Sequence, residues 1–296
     1  MKKKFDLQLF TVPTNETVTT DLAPAISVDY TSRIAENITA LQDLLGVTEL
    51  QPMAAGSTIK VYSETVTMGT QVAEGEKLNL SKVSRQVAAT YELTLKKYLK
   101  EVTAESIQKF GRDRAINRTD DKLIGEIRKG IKTDFFTLLG TGTGTAASGS
   151  TLQQVLANVW AALQTTFEDK DVTPVFFVSP TDVANYLGLA TITMQTAFGF
   201  SYVENFLGLG KAIINPGLTA GAVIGTVEEN LNGAYVPATG GDLAESFNLT
   251  SDESGLVGMV HMPNVSNASI DTLLFSGVKF YPELLNGVIK GTIAGA

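Results

Sequence analysis

From Val87 to Leu95 apolar side chains take every second position, at Val87, Ala89, Tyr91, Leu93 and Leu95, with Thr90, Glu92 and Thr94 among the residues between them. A period of two is the signature of a β-strand with one covered face. The stretch before it, Val72 to Arg85, contains Glu74, Gly75, Glu76, Lys77, Asn79, Ser81, Lys82, Ser84 and Arg85 and offers almost nothing to a core. A preceding strand around "TIKVYSETVTM" makes the unit a long hairpin over Gly56 to Leu95. Its parity slips between Val61 and Val66, which predicts a bulge near Tyr62 to Thr65. Such a hairpin either folds back on its own domain or packs on a neighbouring copy, and its polar tip favours the neighbour.

A second period follows. Ile124, Ile127, Ile131, Phe135 and Leu138 recur at helical spacing, predicting a helix over Asp120 to Leu139 with Thr119 or Asp120 as its cap and Gly140 at its end. Asp120 and Asp121 suit the helix dipole there. Gly125 and Gly130 inside it each cost about 1 kcal/mol relative to Ala, so they imply close packing of another backbone or a need to bend. Lys122, Arg128, Lys129 and Lys132 make the other faces basic.

"GTGTGTAASGS", Gly140 to Ser150, reads as a low-complexity linker and the clearest internal boundary. Beyond it Leu152, Val155, Leu156, Val159, Leu163 and Phe167 mark another amphipathic helix. "TPVFFVSP" is a buried strand, and "PTDVANYLG" a short helix with Pro180 near its start. The rest is β-rich: "KAIINP", "GAVIGTV", "GAYVP" and "LVGMVHM", with Asn232-Gly233 and Asn286-Gly287 expected to be tight turns. The last segment, "TLLFSGVKFYPELLNGVIKGTI", is expected to form a β-hairpin or its edge, with Pro282 weakening the first strand. At the other end, "TVPTNETVTTDLAPAI" has no apolar period and reads as an extended arm. Ile34, Ile38, Leu41, Leu44 and Leu45 then predict a short helix capped by Gly46.

Composition narrows the chemistry. With 296 residues and 44% apolar residues the chain can bury a proper core, and without cysteine it has no disulfide, zinc-thiolate or thiol nucleophile. The start "MKKKFDLQLFTVP" is basic, but Asp6 and Gln8 interrupt its apolar stretch, so no export signal is read. No run approaches the roughly 20 apolar residues of a membrane span, and no membrane partner is expected. The net charge of −8 is uneven: residues 1–95 hold 8 basic and 11 acidic groups, residues 96–132 hold 11 and 6, and residues 133–296 hold 4 and 14. Positive charge confined to one segment argues against tight, sequence-specific DNA binding.

Catalytic signals are absent or lack context. Gly142-x-Gly144-x-x-Ala147 matches the dinucleotide pattern in form, but a helix precedes it where that chemistry needs a strand. "GLGKA", Gly208 to Ala212, is not a phosphate loop. His261, the one histidine, sits in an apolar strand without a nucleophile elbow to serve, and reads as a structural, hydrogen-bonded residue. The carboxylate pairs Asp120-Asp121, Glu228-Glu229 and Asp252-Glu253 lie in helix-start or loop contexts. No enzyme, metal or cofactor is expected.

An extended arm, a helix, a polar hairpin, a basic helix, a mixed second domain and a returning β-segment stand in this order. The order resembles the major capsid protein of tailed bacteriophages. The similarity covers nearly the whole chain and is carried by "KFDLQLF", "VAEGEKLNLSK" at the hairpin tip, "LKEVTAES", "DDKLIGEIRKGIKTDFFTLLGTG", and "VFFVSP" leading to "TDVANYLG". The resemblance implies an α+β chain: arm and short helix in 1–55, E-loop hairpin in 56–95, P-domain with a spine helix in 96–150, A-domain in 151–263, and a P-domain return in 264–296. It also implies a self-assembling icosahedral shell of hexamers and pentamers around double-stranded DNA, formed in the host cytoplasm with a portal protein. With only some thirty residues before the first helix, a separate scaffolding protein is implied.

Glu74, Glu76, Lys77, Lys82 and Arg85 would then make inter-subunit contacts, while Lys122, Arg128, Lys129 and Lys132 would touch scaffold or, weakly and without sequence preference, DNA. In some members of that family an E-loop lysine is cross-linked to an asparagine, for which Lys77 or Lys82 and Asn286 are the nameable residues; non-covalent assembly is the expectation here. An encapsulin-like nanocompartment shell is the alternative with the same fold. A nucleotide-dependent enzyme using the Gly142 loop is the alternative from another class.

Overall fold

A computed structural model of the chain describes residues 50–75, 77, 79–168, 170–188, 194–197, 200–240, 242–251 and 255–294. The expected arm and the helix over Ile34 to Leu45 lie outside the described residues, as do Glu76 and the Asp252-Glu253 pair.

After β1 (Leu50–Pro52), strands β2 (Thr58–Thr67) and β3 (Lys82–Glu92) pair only with each other, and the register slips between Val61 and Tyr62, at the edge of the expected bulge. The period of two is real, but burial rises along it. Val87 is exposed, Ala89 and Tyr91 are half-buried, and Leu93 is fully buried against Ile59, Ala234 and Val236. The hairpin is rooted in the body and leaves it. The segment "LKEVTAES" divides in two: β4 (Lys96–Thr103) is a strand, and α1 (Ala104–Phe110) follows with Thr103 Oγ1 accepting from the Ser106 amide at 3.4 Å.

The long helix, α2 (Arg112–Leu139), begins at Arg112 and not at Asp120. Gly111, at φ +79°, turns the chain just before it. Its first turns carry no long apolar stripe, because Ala115 and Ile116 serve a small separate cluster with Val102. Thr119 does not cap; its hydroxyl donates to the Ala115 carbonyl at 2.7 Å, inside the helix. The predicted stripe, Ile124 to Leu138, is buried throughout. Among the described residues open space surrounds the Cβ position of both Gly125 and Gly130, so close packing against those residues is not their reason.

Gly140 to Ser150 is a packed crossing. A Cβ on Gly144 would lie 2.6 Å from the Asn286 carbonyl oxygen and 2.7 Å from that of Val288, and β5 (Ala147–Gly149) pairs in parallel with the last strand of the chain. There follow α3 (Leu152–Thr166), β6 (Pro174–Val178), α4 (Pro180–Leu187), β7 (Gln195–Ala197), β8 (Phe200–Phe206), β9 (Gly210–Ile214), β10 (Ala222–Val227), β11 (Leu231–Tyr235) and α5 (Asp242–Phe247). Last come β12 (Thr250–Ser251), β13 (Val257–Asn264), β14 (Ser269–Ser276), β15 (Val278–Pro282) and β16 (Ile289–Ile293). The larger sheets run β5-β16-β10-β6-β9-β8-β7, β12-β13-β14-β4 and β1-β11-β15.

Strand β6 lies inside the widest sheet and is buried on both faces, which is why "PVFFV" shows no alternation. Phe176 and Val178 join the core of α3, whereas Val175 and Phe177 join that of α2.

Three expectations fail on non-local grounds. Asn232-Gly233 lies within β11, opposite Tyr281 and Phe280, where the Leu50 side chain fills the space a Cβ would need. Asn286-Gly287 lies in a 3₁₀ turn, Leu285–Gly287, with the Phe167 ring 2.5 Å from the Cβ position of Gly287. The C-terminal segment is no hairpin, because β14, β15 and β16 enter three different sheets. Pro282 closes β15 at its pair with Leu231. A boundary at 263/264 falls inside the β13–β14 hairpin.

Gly144→Ala is expected to destabilise the subunit by about 1–3 kcal/mol through overpacking, and Gly125→Ala to stabilise it by roughly 0.5–1 kcal/mol through helix propensity. Urea unfolding of the two variants checks both signs. A neutral Gly144→Ala would return Gly140 to Ser150 to the status of a loose linker.

Candidate assembly surface

The bulge fixes which hairpin residues share a face. Past it, Tyr62 pairs with Val87, Glu64 with Arg85 and Val66 with Val83, so these six lie together. Val66, Val83 and Val87 are 56%, 63% and 51% exposed, and Leu80 near the tip is 95% exposed. The opposite face pairs Ser63 with Gln86, Thr65 with Ser84 and Thr67 with Lys82. The hairpin is therefore amphipathic, and nothing in the described chain covers its apolar face. Its neck is held shut by the Ser81 hydroxyl, which accepts from the Gly69 amide at 3.0 Å, and by Asn79 Nδ2 donating to Thr70 Oγ1 at 2.7 Å.

Among the expected tip contacts, Glu74, Lys77 and Lys82 are exposed, and Glu76 lies outside the described residues. Arg85 is engaged within the hairpin: its Nε lies 3.3 Å from Glu64 Oε1 and its guanidinium 4.0 Å over the Tyr62 ring. Sequence reasoning missed Tyr62, Val66, Val83 and Val87 as a surface. The signal was their common parity, which the bulge obscures.

On α2, Lys122 and Lys129 are exposed and Lys132 is half-buried; the Arg128 side chain lies outside the described residues. Starting the helix at Arg112 adds Arg114 and Arg118 to this stripe. Arg114, Arg118, Lys122, Lys129 and Lys132 then stand at i, i+4, i+8, i+15 and i+18, along one side.

Asp120 does not belong to a helix start. It is fully buried, bonded to Lys100 Nζ through Oδ1 and 3.2 Å from His261 Nε2 through Oδ2. Lys100 also donates to Thr119 Oγ1 at 2.9 Å and to the Ile116 carbonyl at 3.2 Å. Lys100, Thr272 and His261 form one row across β4, β14 and β13, so the cluster pins that sheet to α2. Burial pushes the Lys100 ammonium below its free-lysine value of 10.5, partly offset by the hydrogen bond and charge of Asp120. The folded state thus binds that proton less tightly than the unfolded chain, and this one group favours folding increasingly as pH rises toward 10.5.

The remaining candidates are packed into the scaffold. Val288 and Asn286 occupy the space against Gly142 and Gly144 that a phosphate would need. "GLGKA" is the end of the turn between β8 and β9 and the first three residues of β9. Glu228 pairs with Lys211 at 2.9 Å, and Glu229 accepts from the Thr173 amide at 3.1 Å. Among the described residues no group of three or more His, Asp or Glu side chains is placed to hold a metal, and no helix is long and apolar enough to cross a membrane.

No protein-family description and no curated protein matches the sequence. Solved structures do match. The capsid of an empty GTA particle is 10% identical, with a TM-score of 0.58 over 86% of this chain and 90% of that one. This chain has a phage major capsid fold. A protein of Mycobacterium phage Patience gives 10% identity and a TM-score of 0.50 over 97% and 96%, and the holo-SrpI encapsulin complex of Synechococcus elongatus PCC 7942 gives 15% and 0.50 over 83% and 84%. Set on that capsid fold, the two-stranded hairpin is the element that the described core leaves uncovered.

Removing one member of the buried cluster strands a charge. Asp120→Ala should cost about 3–5 kcal/mol, whereas Lys100→Met with Asp120→Leu should cost far less than the sum of the two single changes. A double-mutant cycle by chemical denaturation reads the coupling directly, and additive losses would show that the pair is a bystander.

Proposed function

We propose that this chain is a shell subunit that assembles with copies of itself, as hexamers and pentamers, into the icosahedral head of a tailed phage around double-stranded DNA. The observation that carries the reading is the amphipathic hairpin, a folded element whose apolar face has no cover among the described residues of its own chain. Burying one valine is worth roughly 1.5–3 kcal/mol, against about 0–1 kcal/mol for an exposed ion pair. The apolar face therefore drives docking, and the charges at Glu74, Lys77 and Lys82 set its register.

In this reading Gly56 to Leu95 is the E-loop, α2 with its sheet the P-domain, and the widest sheet with α3 and α4 the A-domain. A separate scaffolding protein and a portal protein complete the head, and the chain acts without catalysis. Charge supports a container for DNA: the excess of ten acidic groups in residues 133–296 repels phosphates, and the basic stripe of α2 gives one region of weak, non-specific attraction, lost as salt rises. The encapsulin reading rests on the likeness to the SrpI shell and differs in cargo.

Co-expression with neighbouring phage genes, followed by electron microscopy and nuclease protection, tests the proposal. Closed particles holding nuclease-resistant duplex DNA are expected; particles filled with protein instead point to a nanocompartment. Val83→Asp with Val87→Asp should abolish particles while leaving the subunit's circular dichroism and melting unchanged. Lys77→Glu with Lys82→Glu should lower the yield less. Normal particles from the valine variant would sink the docking role of this face.

A further inference from the structure

Asp120, Lys100 and His261 hold a chemistry that pinning a sheet to a helix does not use. They come from α2, β4 and β13, and all three are buried: the Asp120 side chain has no exposure, that of His261 7% and that of Lys100 15%. Two opposite charges are costly to keep there, because little water reaches them. Burial also pushes the Lys100 ammonium below its ordinary value, with the hydrogen bond and charge of Asp120 partly opposing it. Passing one proton from Nζ to the carboxylate removes both charges and leaves an amine beside a carboxylic acid. Lys96 and Asp134 pair between the same sheet and helix, but both are more than a third exposed, and water keeps that pair ionised.

The contacts of Nζ suit that amine. An amine has two N–H groups and one lone pair, and two acceptors other than Asp120 are in place, Thr119 Oγ1 at 2.9 Å and the Ile116 carbonyl at 3.2 Å. Thr119 accepts here, because its own proton goes to the Ala115 or Ile116 carbonyl, at 2.7 and 2.8 Å. With both N–H groups engaged, the lone pair is left toward Asp120. At the other carboxyl oxygen, Oδ2, stands His261 Nε2 at 3.2 Å, where an N–H donates to an oxygen that gains negative charge. Thr272 lies between Lys100 and His261 in their row, and its buried hydroxyl has no hydrogen-bond partner among the described residues.

We propose that Lys100 and Asp120 condense after folding into an amide that joins β4 to α2 within one subunit. The Nζ lone pair attacks Cγ and forms the C–N bond, while His261 donates to Oδ2 as it becomes an oxyanion. Oδ1 already carries the proton taken from Nζ; it takes a second from the attacking nitrogen, the C–O bond breaks with its electron pair, and one water leaves. The carbonyl re-forms at Oδ2, and the unpartnered Thr272 hydroxyl gives the departing water a polar partner. No oxidant, metal or activated co-substrate is consumed. Holding the two groups in contact supplies the effective concentration that an amine and an acid lack in water. The ion pair is the state in which the subunit folds, and the amide is what it becomes. Because the bond lies within one chain, it stands or falls separately from the shell reading.

Intact-mass measurement of the full-length protein, aged in neutral buffer, tests this. The wild type is expected to be lighter by one water than its sequence requires, and trypsin should release Tyr98–Lys109 joined to Thr119–Lys122 as one branched peptide, uncut after Lys100. Lys100→Arg should abolish the branch. His261→Leu should slow its formation by about a hundredfold, and His261→Gln, which keeps a donor, should recover most of the rate. A folded wild type of full sequence mass, with the two peptides separate, would overturn the proposal even if every variant failed to fold. An unbranched Thr119–Lys122 lighter by a water, the mark of a cyclic imide at Asp120-Asp121, would do the same, as would Lys100 joined to any other carboxyl group. A branch that forms equally fast in folded His261→Leu would overturn the part given to the histidine.

Discussion

Ile124, Ile127, Ile131, Phe135 and Leu138 lie on one face of α2, and that face is the common floor of three sheets. Its cluster takes Val175, Phe177, Ile213 and Ile224 from the seven-stranded sheet, Leu231 and Phe280 from the three-stranded sheet, and Val257, Met259 and Leu274 from the four-stranded one. Phe135 is the joint, edge-on to Phe177 at 5.7 Å and to Phe280 at 5.3 Å. Sheets that share one helix face cannot shift independently without opening that core. The body is therefore stiff about α2.

That stiffness explains what the body cannot do for the hairpin. Its root is anchored through Leu93 and Ile59, but beyond the bulge the strands run out of core to lie on. A two-stranded ribbon is marginal alone in water, and the apolar face at Tyr62, Val66, Val83 and Val87 has no cover among the described residues; in the proposed shell a neighbouring subunit supplies it. Building a shell from such units ties each subunit's completion to its neighbour, which makes assembly and the ordering of the hairpin one event.

Charge is used in two distinct ways along α2. At Asp120 it is buried and paired, holding the β4–β14–β13 sheet in place through Lys100 and His261. On the outer side Arg114, Arg118, Lys122 and Lys129 are exposed. Paired buried charge sets geometry at some cost in stability, whereas an exposed basic stripe keeps its charge available for an acidic partner.

Several features were legible in the residues themselves: the hairpin from its period of two, the second half of α2 from its stripe and α3 likewise, because their burial is one-sided, and β6 from an unbroken apolar run bounded by prolines, because both its faces are covered. Periodicity reports which face of an element is covered and says nothing of what covers it. The strand β4 and the first turns of α2 were hidden because their partners are distant in the chain and their burial is shallow. Asn232-Gly233 and Asn286-Gly287 resembled turns, yet their glycines make room for Leu50 and Phe167. Asp120 looked like a helix-start acid until β4 and β13 brought Lys100 and His261 against it. The sequence by itself determined the elements whose apolar residues are periodic or unbroken; tertiary structure alone decided which glycines are contacts, which carboxylate is a clamp, and which apolar face has no partner among the described residues, because each depends on residues brought together from far along the chain.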